Sequence, residues 1–205
     1  TFAKRLGIQL RVNGIEMVSL SLDNYYVDRE HTPRDGDGRP DFESIEAIDL
    51  GLFHAQLAEL MNGGEVLTPR FDFLSGTRKP EREWVPLRLE RNHVLVVEGI
   101  HGLNDRLTQS VARQHKYRIF ISALSQLAID DHNRIFTSDA RLIRRIVRDH
   151  FFRGFSAERT LDLWEQVRRG EGRWIFPFQE QADVMFNSAL VYEPAVLKVF
   201  AERFL

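Results

Sequence analysis

Two short apolar runs in this sequence end on carboxylates. In "MVSLSLDNYY", residues 17–26, Met17, Val18, Leu20 and Leu22 lead into Asp23; in "HVLVVEGIHGLN", Val94, Leu95, Val96 and Val97 lead into Glu98 and Gly99. Each run has the length and composition of a buried strand. One acid at a strand exit reads as a turn residue, since Asp and Asn favour turns. Two acids in one topology read as a site, because open α/β sheets take ligands at the carboxyl ends of their strands. If the strands are parallel neighbours, Asp23 and Glu98 share an edge and can divide two tasks. One removes a proton from a hydroxyl; the other holds Mg²⁺ or its water.

A second chemistry-bearing pattern is "SDARLIRRIVRDHFFRG". Arg141, Arg144, Arg145 and Arg148 stand at i, i+3, i+4 and i+7, a guanidinium stripe on one helix face, with Leu142, Ile143, Ile146 and Val147 on the apolar side. Such a face is either solvated and paired with acids or turned toward an anion. The nearby acids, Asp139 and Asp149, are too few for all four, which favours phosphate, whose oxygens match the planar guanidinium fork. Arg153-Gly154 then reads as the entry to a mobile segment of the kind a lid needs. In "IDDHNRIFTSD", Asp130, Asp131 and His132 read as a polar helix surface rather than a metal site, because adjacent helical residues do not face one point. Tyr26, Phe42, Phe71, Phe73 and Trp164 follow polar stretches, and several of them near one strand edge would wall a flat ring.

The elements that must position these residues follow from periodicity. "TFAKRLGIQLRVNG" reads as a helix closed by Asn13-Gly14. After the first strand comes a polar Gly/Pro loop, "DREHTPRDGDGRPDFES". A helix then runs from an Ser44 cap, with Ile45, Ile48, Leu52 and Ala55 on one face, to Gly63-Gly64. "EVLTPRFDF" and "REWVPLRLE" flank "LSGTRKPE" as a hairpin over 65–90 with a basic tip. "YRIFISA" and "ADVMFNSAL" supply two more strands, separated by helical stretches. Strands alternating with helices predict an α/β fold in three layers, a mostly parallel sheet with helices on both faces.

Composition sets the bounds. The chain of 205 residues is 43% hydrophobic and 28% charged, as expected for one globular domain over 1–205. A formal charge of −2 gives no overall pull toward nucleic acid or membrane, so any basic site is local. The absence of Cys excludes disulfides and thiolate chemistry and is compatible with a cytoplasmic setting. No apolar run is long enough to span a bilayer.

Taken in order, "LSLDNYY", "DFESIEAIDL", "PRFDFLSGTRK", "VVEGIHGLN", "RLIRRIVRD", "RGFSAERTLDLW" and "ADVMFNSAL" resemble the uridine kinase branch of the phosphoribulokinase/uridine kinase family. These are P-loop kinases that phosphorylate a hydroxyl of a nucleoside or sugar. The resemblance implies a P-loop kinase fold with a hairpin and a helical lid over 149–175, ATP as phosphate donor, Mg²⁺, a small-molecule nucleoside acceptor, and a cytoplasmic protein, with a homo-oligomer allowed. It implies Asp23 as the base toward the 5′-hydroxyl and Glu98 as the strand-end acid near the metal. Tyr26, with Phe42, Phe71 and Arg78, would line the acceptor pocket, and Glu43 would stand where the family has a ribose-binding Asp. Arg145, Arg148 and Arg153 would face phosphate.

Two departures qualify the resemblance. No G-x-x-x-x-G-K-[ST] occurs in these residues, and that loop is what cradles nucleotide phosphates. "TFAKRL" reads like the helix that follows it, with Thr1 as the second hydroxyl after the loop Lys or as the metal-binding one, so the first strand and the P-loop are expected upstream of residue 1. The base pocket also differs: Phe71-Asp72-Phe73 replaces Tyr-Asp-Phe, Gly76 stands at a His position, Phe155 at an Arg position and Leu163 at a Gln position. Buried polar readers give strong discrimination, so their loss predicts broad nucleoside use. The segment 122–139 is longer than its counterpart. Two alternatives stand beside a nucleoside kinase: a kinase for another hydroxylated metabolite such as a sugar phosphate, and a nucleotide-sensing domain that has lost turnover.

Overall fold

The computed structural model describes residues 2–205. Thr1, a candidate phosphate-loop hydroxyl, lies outside the described residues. The chain forms two compact units, one of residues 2–117 with 172–181, the other of residues 118–171 with 182–205.

The first unit opens with helix α1, Phe2–Val12. Its end is where the sequence places it: the amides of Asn13 and Gly14 donate to Leu10 and Arg11 carbonyls, and Gly14 takes φ 76°. Strand β1, Glu16–Ser21, follows. Gly7 lets α1 lie close on it, since a Cβ there would stand 3.0 Å from the Met17 methyl. Helix α2, Leu50–Met61, strands β2, Glu65–Thr68, β3, Phe71–Asp72, β4, Thr77–Arg78, and β5, Val85–Arg88, come next, and strand β6, His93–Glu98, completes the set.

β1 and β6 pair in parallel, with Met17 opposite Val94 and Ser21 opposite Glu98. The core beside them gathers Leu20, Leu22, Tyr25, Ile45, Ile48, Phe53, Leu57 and Leu107, all essentially sealed from solvent. Full burial of one such side chain stabilises by ~1.5–3 kcal/mol. The hairpin expected over 65–90 is two nested antiparallel pairs, β2 with β5 and, inside them, β3 with β4.

One helix start differs from expectation. Ser44 does cap, accepting from the Glu46 amide, but only a 3₁₀ turn, Ile45–Ala47. α2 begins after Asp49, whose carboxylate accepts from the Leu52 amide. The break has a tertiary cause. Tyr26 and Ile48 form an antiparallel bridge, the Val27 amide donates to Ala47, and the Asp49 amide donates to Tyr25. Residues 48 and 49 are thereby drawn out of helical geometry, and residues 47–49 pair with the chain leaving β1.

The second unit holds strand β7, Ile119–Ser122, helix α3, Thr137–Arg153, helix α4, Ala157–Gly170, strand β8, Val184–Asn187, and helix α5, Glu193–Ala201. β7 and β8 pair in parallel. α3 closes at Gly154, in left-handed geometry at φ 66°, and Ser156 caps α4 by accepting from the Arg159 amide. A π-helical turn, Glu171–Ile175, follows α4, so the 149–175 stretch is helical apart from the short 154–156 connection. Residues 130–132 are not helical as expected. Asp130 folds a turn around its own carboxylate, which accepts from the amides of His132 and Asn133 and from the Asn133 side chain. Those bonds, the Asn133 side chain first, hold the Asp130 carboxyl below the usual range. Among the described residues no helix is long and apolar enough to cross a membrane.

Candidate active site

The parallel register answers the question raised by the two strand-end acids. Ser21 and Glu98 are partners, and Asp23 follows Ser21 by two residues on a 3₁₀ turn, Leu22–Tyr25. Both carboxylates therefore leave the sheet at one edge, where neighbouring strands lie about 4.8 Å apart. Asp23 is half-buried and Glu98 exposed. The two exits press together: Gly99, at φ 151°, would put a Cβ 2.7 Å from that of Leu22. Only glycine fits there.

Tyr25 anchors the turn. Its ring is fully buried edge-on to Phe53, and its hydroxyl donates to Gln56 Oε1 at 2.7 Å. Burial pushes the phenol's pKa up, against the opposing field of Arg78, which keeps it a donor. Tyr26 points the other way, into rings: its centroid lies 5.9 Å from Phe71 and 6.4 Å from Phe73, which are 5.2 Å apart. Its hydroxyl donates to the Phe42 carbonyl at 3.3 Å. The aromatic wall is thus Tyr26, Phe71 and Phe73, with Phe42 joined to it through its backbone.

The hairpin is fixed to this edge by three polar ties. Asn24 Oδ1 accepts from the Phe71 amide, Asp28 Oδ1 accepts from the Arg78 amide at 2.8 Å, and Arg29 binds the hairpin from the other side. The Arg78 guanidinium pairs with Asp49 at 3.1 Å and donates to the carbonyls of Tyr25 and Tyr26. It clamps the hairpin to the α2 cap. Arg29 donates its amide to the Gly76 carbonyl and an Nη to the Phe73 carbonyl, and its guanidinium fills the space above Gly76. Sequence reasoning passed over Asn24, Asp28 and Arg29; the polar loop around the last two hid their pairing with a hairpin far along the chain.

Glu43, half-buried, sits in the turn ahead of Ser44, its amide bonded to Asp41 Oδ1 at 3.1 Å. Behind that turn lies His101, with 0% of its surface exposed. Neither ring nitrogen completes a hydrogen bond. Burial lowers its pKa to about 4; the nearby backbone of Ser44 and Glu43 offsets this only in part.

In the second unit the arginine face has more acid than its own helix supplies. Arg141 pairs with Glu171, Arg144 with Glu193 at 2.9 Å, and Arg145 with Asp149 at 3.3 Å. Asp149, fully buried, also takes Arg148 at 2.8 Å and Arg153 at 3.6 Å. Arg168 joins Glu171 at 2.8 Å. The expectation that the acids are too few overlooked Glu171 and Glu193, which lie outside the stripe in sequence.

The oxygen-donor edge fits a hard cation. Mg²⁺ takes one or two protein carboxylates and fills its shell with water and phosphate oxygens; Glu98, exposed at that edge, offers one such carboxylate. Among the described residues, Asp28, Glu30 and His31 bring their own ligand atoms within 4.8 Å of one another, but Asp28 is already bonded to the Arg78 amide.

The model of the phosphoribulokinase/uridine kinase family matches residues 1–192. The chain belongs to that family. A uridine kinase of Chloroflexus aurantiacus is 28% identical over 177 residues, 86% of this chain and 75% of that protein. A uridine kinase of Ligilactobacillus salivarius is 27% identical over 85% of this chain and 73% of that one. A crystal structure of a candidate fructose transport system kinase from Silicibacter sp. TM1040 shares the fold at TM-score 0.56 and 16% identity, covering 90% of this chain and 81% of that one. As a member of the phosphoribulokinase/uridine kinase family the chain is a kinase with a P-loop kinase fold, a class that acts on small molecules with ATP and a divalent metal. The α/β fold expected from the sequence is the fold found.

Proposed function

We propose that this family member transfers a phosphoryl group from ATP to a primary hydroxyl, the 5′-hydroxyl of a nucleoside, in the cytoplasm. The observation that carries the reading is the parallel register of Ser21 with Glu98, which sends Asp23 and Glu98 out at one edge. Asp23 accepts the hydroxyl proton as the oxygen attacks the γ-phosphorus, the bond from that phosphorus to the β–γ bridging oxygen breaks, and ADP leaves. Glu98 is the residue to hold Mg²⁺, which when bound neutralises charge developing on the phosphate oxygens. Tyr26, Phe71 and Phe73 stack the acceptor ring, Phe42 fixes Tyr26, Glu43 binds the ribose, and Arg78 holds the pocket wall in place. Arg145, Arg148 and Arg153, gathered at Asp149, are the guanidiniums to meet phosphate.

One observation favours a second acceptor. Arg29 brings a cation to Gly76, where the family resemblance implies a His, and that suits a phosphorylated sugar. The deciding experiment is Asp23→Asn in the intact protein. Asn keeps shape but cannot take the proton, so phosphoryl transfer should fall ~10²–10⁴-fold while ATP binding persists. Transfer within a few-fold of the parent's rejects Asp23 as base.

A further inference from the structure

His101 is a fully buried titratable group that the proposed chemistry does not use. It lies three residues after Glu98, in the turn that leaves β6. Its ring is sealed, with neither Nδ1 nor Nε2 hydrogen-bonded. Its neighbours share that condition. Trp174, edge-on to it with ring centroids 6.4 Å apart, has an unpartnered Nε1. Asn104 is 2% exposed; its amide donates to the His101 carbonyl and its Oδ1 accepts from Arg106, yet its Nδ2 has no partner. Buried polar atoms left unpaired cost ~1–3 kcal/mol each, and such a group persists where something else depends on it. The remaining polar surroundings of the ring are the backbones of Glu43 and Ser44.

We propose that His101 is a positioning residue that holds the Glu43–Ser44 turn against the end of β6, and so sets the Glu43 carboxylate relative to Glu98. This rests on the reading of Glu43 as an acceptor-binding group. An imidazole suits the task because its polar edge lies against the Glu43 and Ser44 backbones while the flat ring fills the space beside Trp174. An apolar ring of the same shape fills the space without the tie. The turn would then be held by packing alone, and the acceptor rather than ATP would sense the difference.

The test uses the intact protein with His101→Phe, which keeps the ring, and His101→Gln, which keeps a side-chain N–H. In H101F the KM for the nucleoside should rise about tenfold while kcat and the KM for ATP stay within twofold, and H101Q should recover most of the loss. In a Glu43→Gln background H101F should add less than twofold. Losses that multiply across the two sites, or that strike kcat and both KM values alike, overturn the proposal. Amide hydrogen exchange is read alongside, without substrate. Exchange at Ala47 and Ile48, whose amides close the Ser44 turn, should quicken about tenfold in H101F with the α2 amides unchanged; unaltered exchange at the turn overturns the proposal whatever the kinetics. A parent protein that phosphorylates no nucleoside rejects the acceptor reading instead, and the exchange result then decides the tie by itself.

Discussion

Acid should destabilise this protein partly through His101, and the size of the effect can be worked out. A histidine free in the unfolded chain titrates near 6.5, whereas burial lowers the folded value to about 4. Between those values the unfolded chain holds a proton that the folded one lacks, so stability is complete above pH 6.5 and is lost as pH falls toward 4. The full difference is about 3 kcal/mol. Roughly 2 kcal/mol of it should already be gone between pH 7 and pH 5. The measurement is urea unfolding at both pH values for the parent and for H101Q, which cannot titrate. Carboxylates and other histidines contribute equally to both, so the difference between the two pH dependences isolates His101. The parent should lose about 2 kcal/mol more than the variant. Parallel losses would mean that the ring is protonated in the folded state or reaches water, and the reasoning from burial would fail.

Asp149→Asn should destabilise the protein by ~3–5 kcal/mol, because three guanidiniums lose a buried carboxylate; a denaturation midpoint close to the parent's would show that the cluster does not depend on it. Tyr25→Phe should cost ~1–3 kcal/mol, since Gln56 Oε1 loses a buried donor, and chemical denaturation with no measurable change would place water at that position. In a panel of nucleosides, acceptance should be broad, because Gly76 offers no side-chain hydrogen bond to a base and stacking on Tyr26, Phe71 and Phe73 tolerates any ring. Activity on uridine and cytidine alone, with purine nucleosides a thousandfold poorer, would contradict this and point to Arg29 as a base reader.

What could be read in the sequence was local or repeated. β1 and β6 announce themselves by apolar runs ending on acids, and their pairing follows once both are strands. The hairpin showed in outline, though its division into two nested pairs did not. Long-range competition was not legible. The α2 start moves to Asp49 because Tyr26 bridges Ile48, a contact that no window around Ser44 contains. The arginine stripe looked short of acids because Glu171 and Glu193 lie beyond it in the chain. Residues 130–132 lie in an irregular stretch ahead of α3, where Asp130 satisfies backbone amides with its own carboxylate, which local polarity does not reveal. His101 was invisible for the opposite reason: nothing in "EGIHGLN" says that the imidazole faces inward.

The register of β1 with β6 also bears on how the protein reaches its active form. Ser21 and Glu98 meet across more than half of the first unit's chain, and the entropy of closing so long a loop must be overcome before their pairing returns any stability. Contacts this distant in sequence slow folding. Leu22, Tyr25, Ile45, Ile48, Phe53 and Leu57 all come from the intervening chain, and their collapse shortens the distance that the two strands must search. The edge that carries Asp23 and Glu98 should therefore assemble after the core between them. A molecule that can turn over has finished folding, and during refolding the recovery of activity should trail the burial of Tyr25.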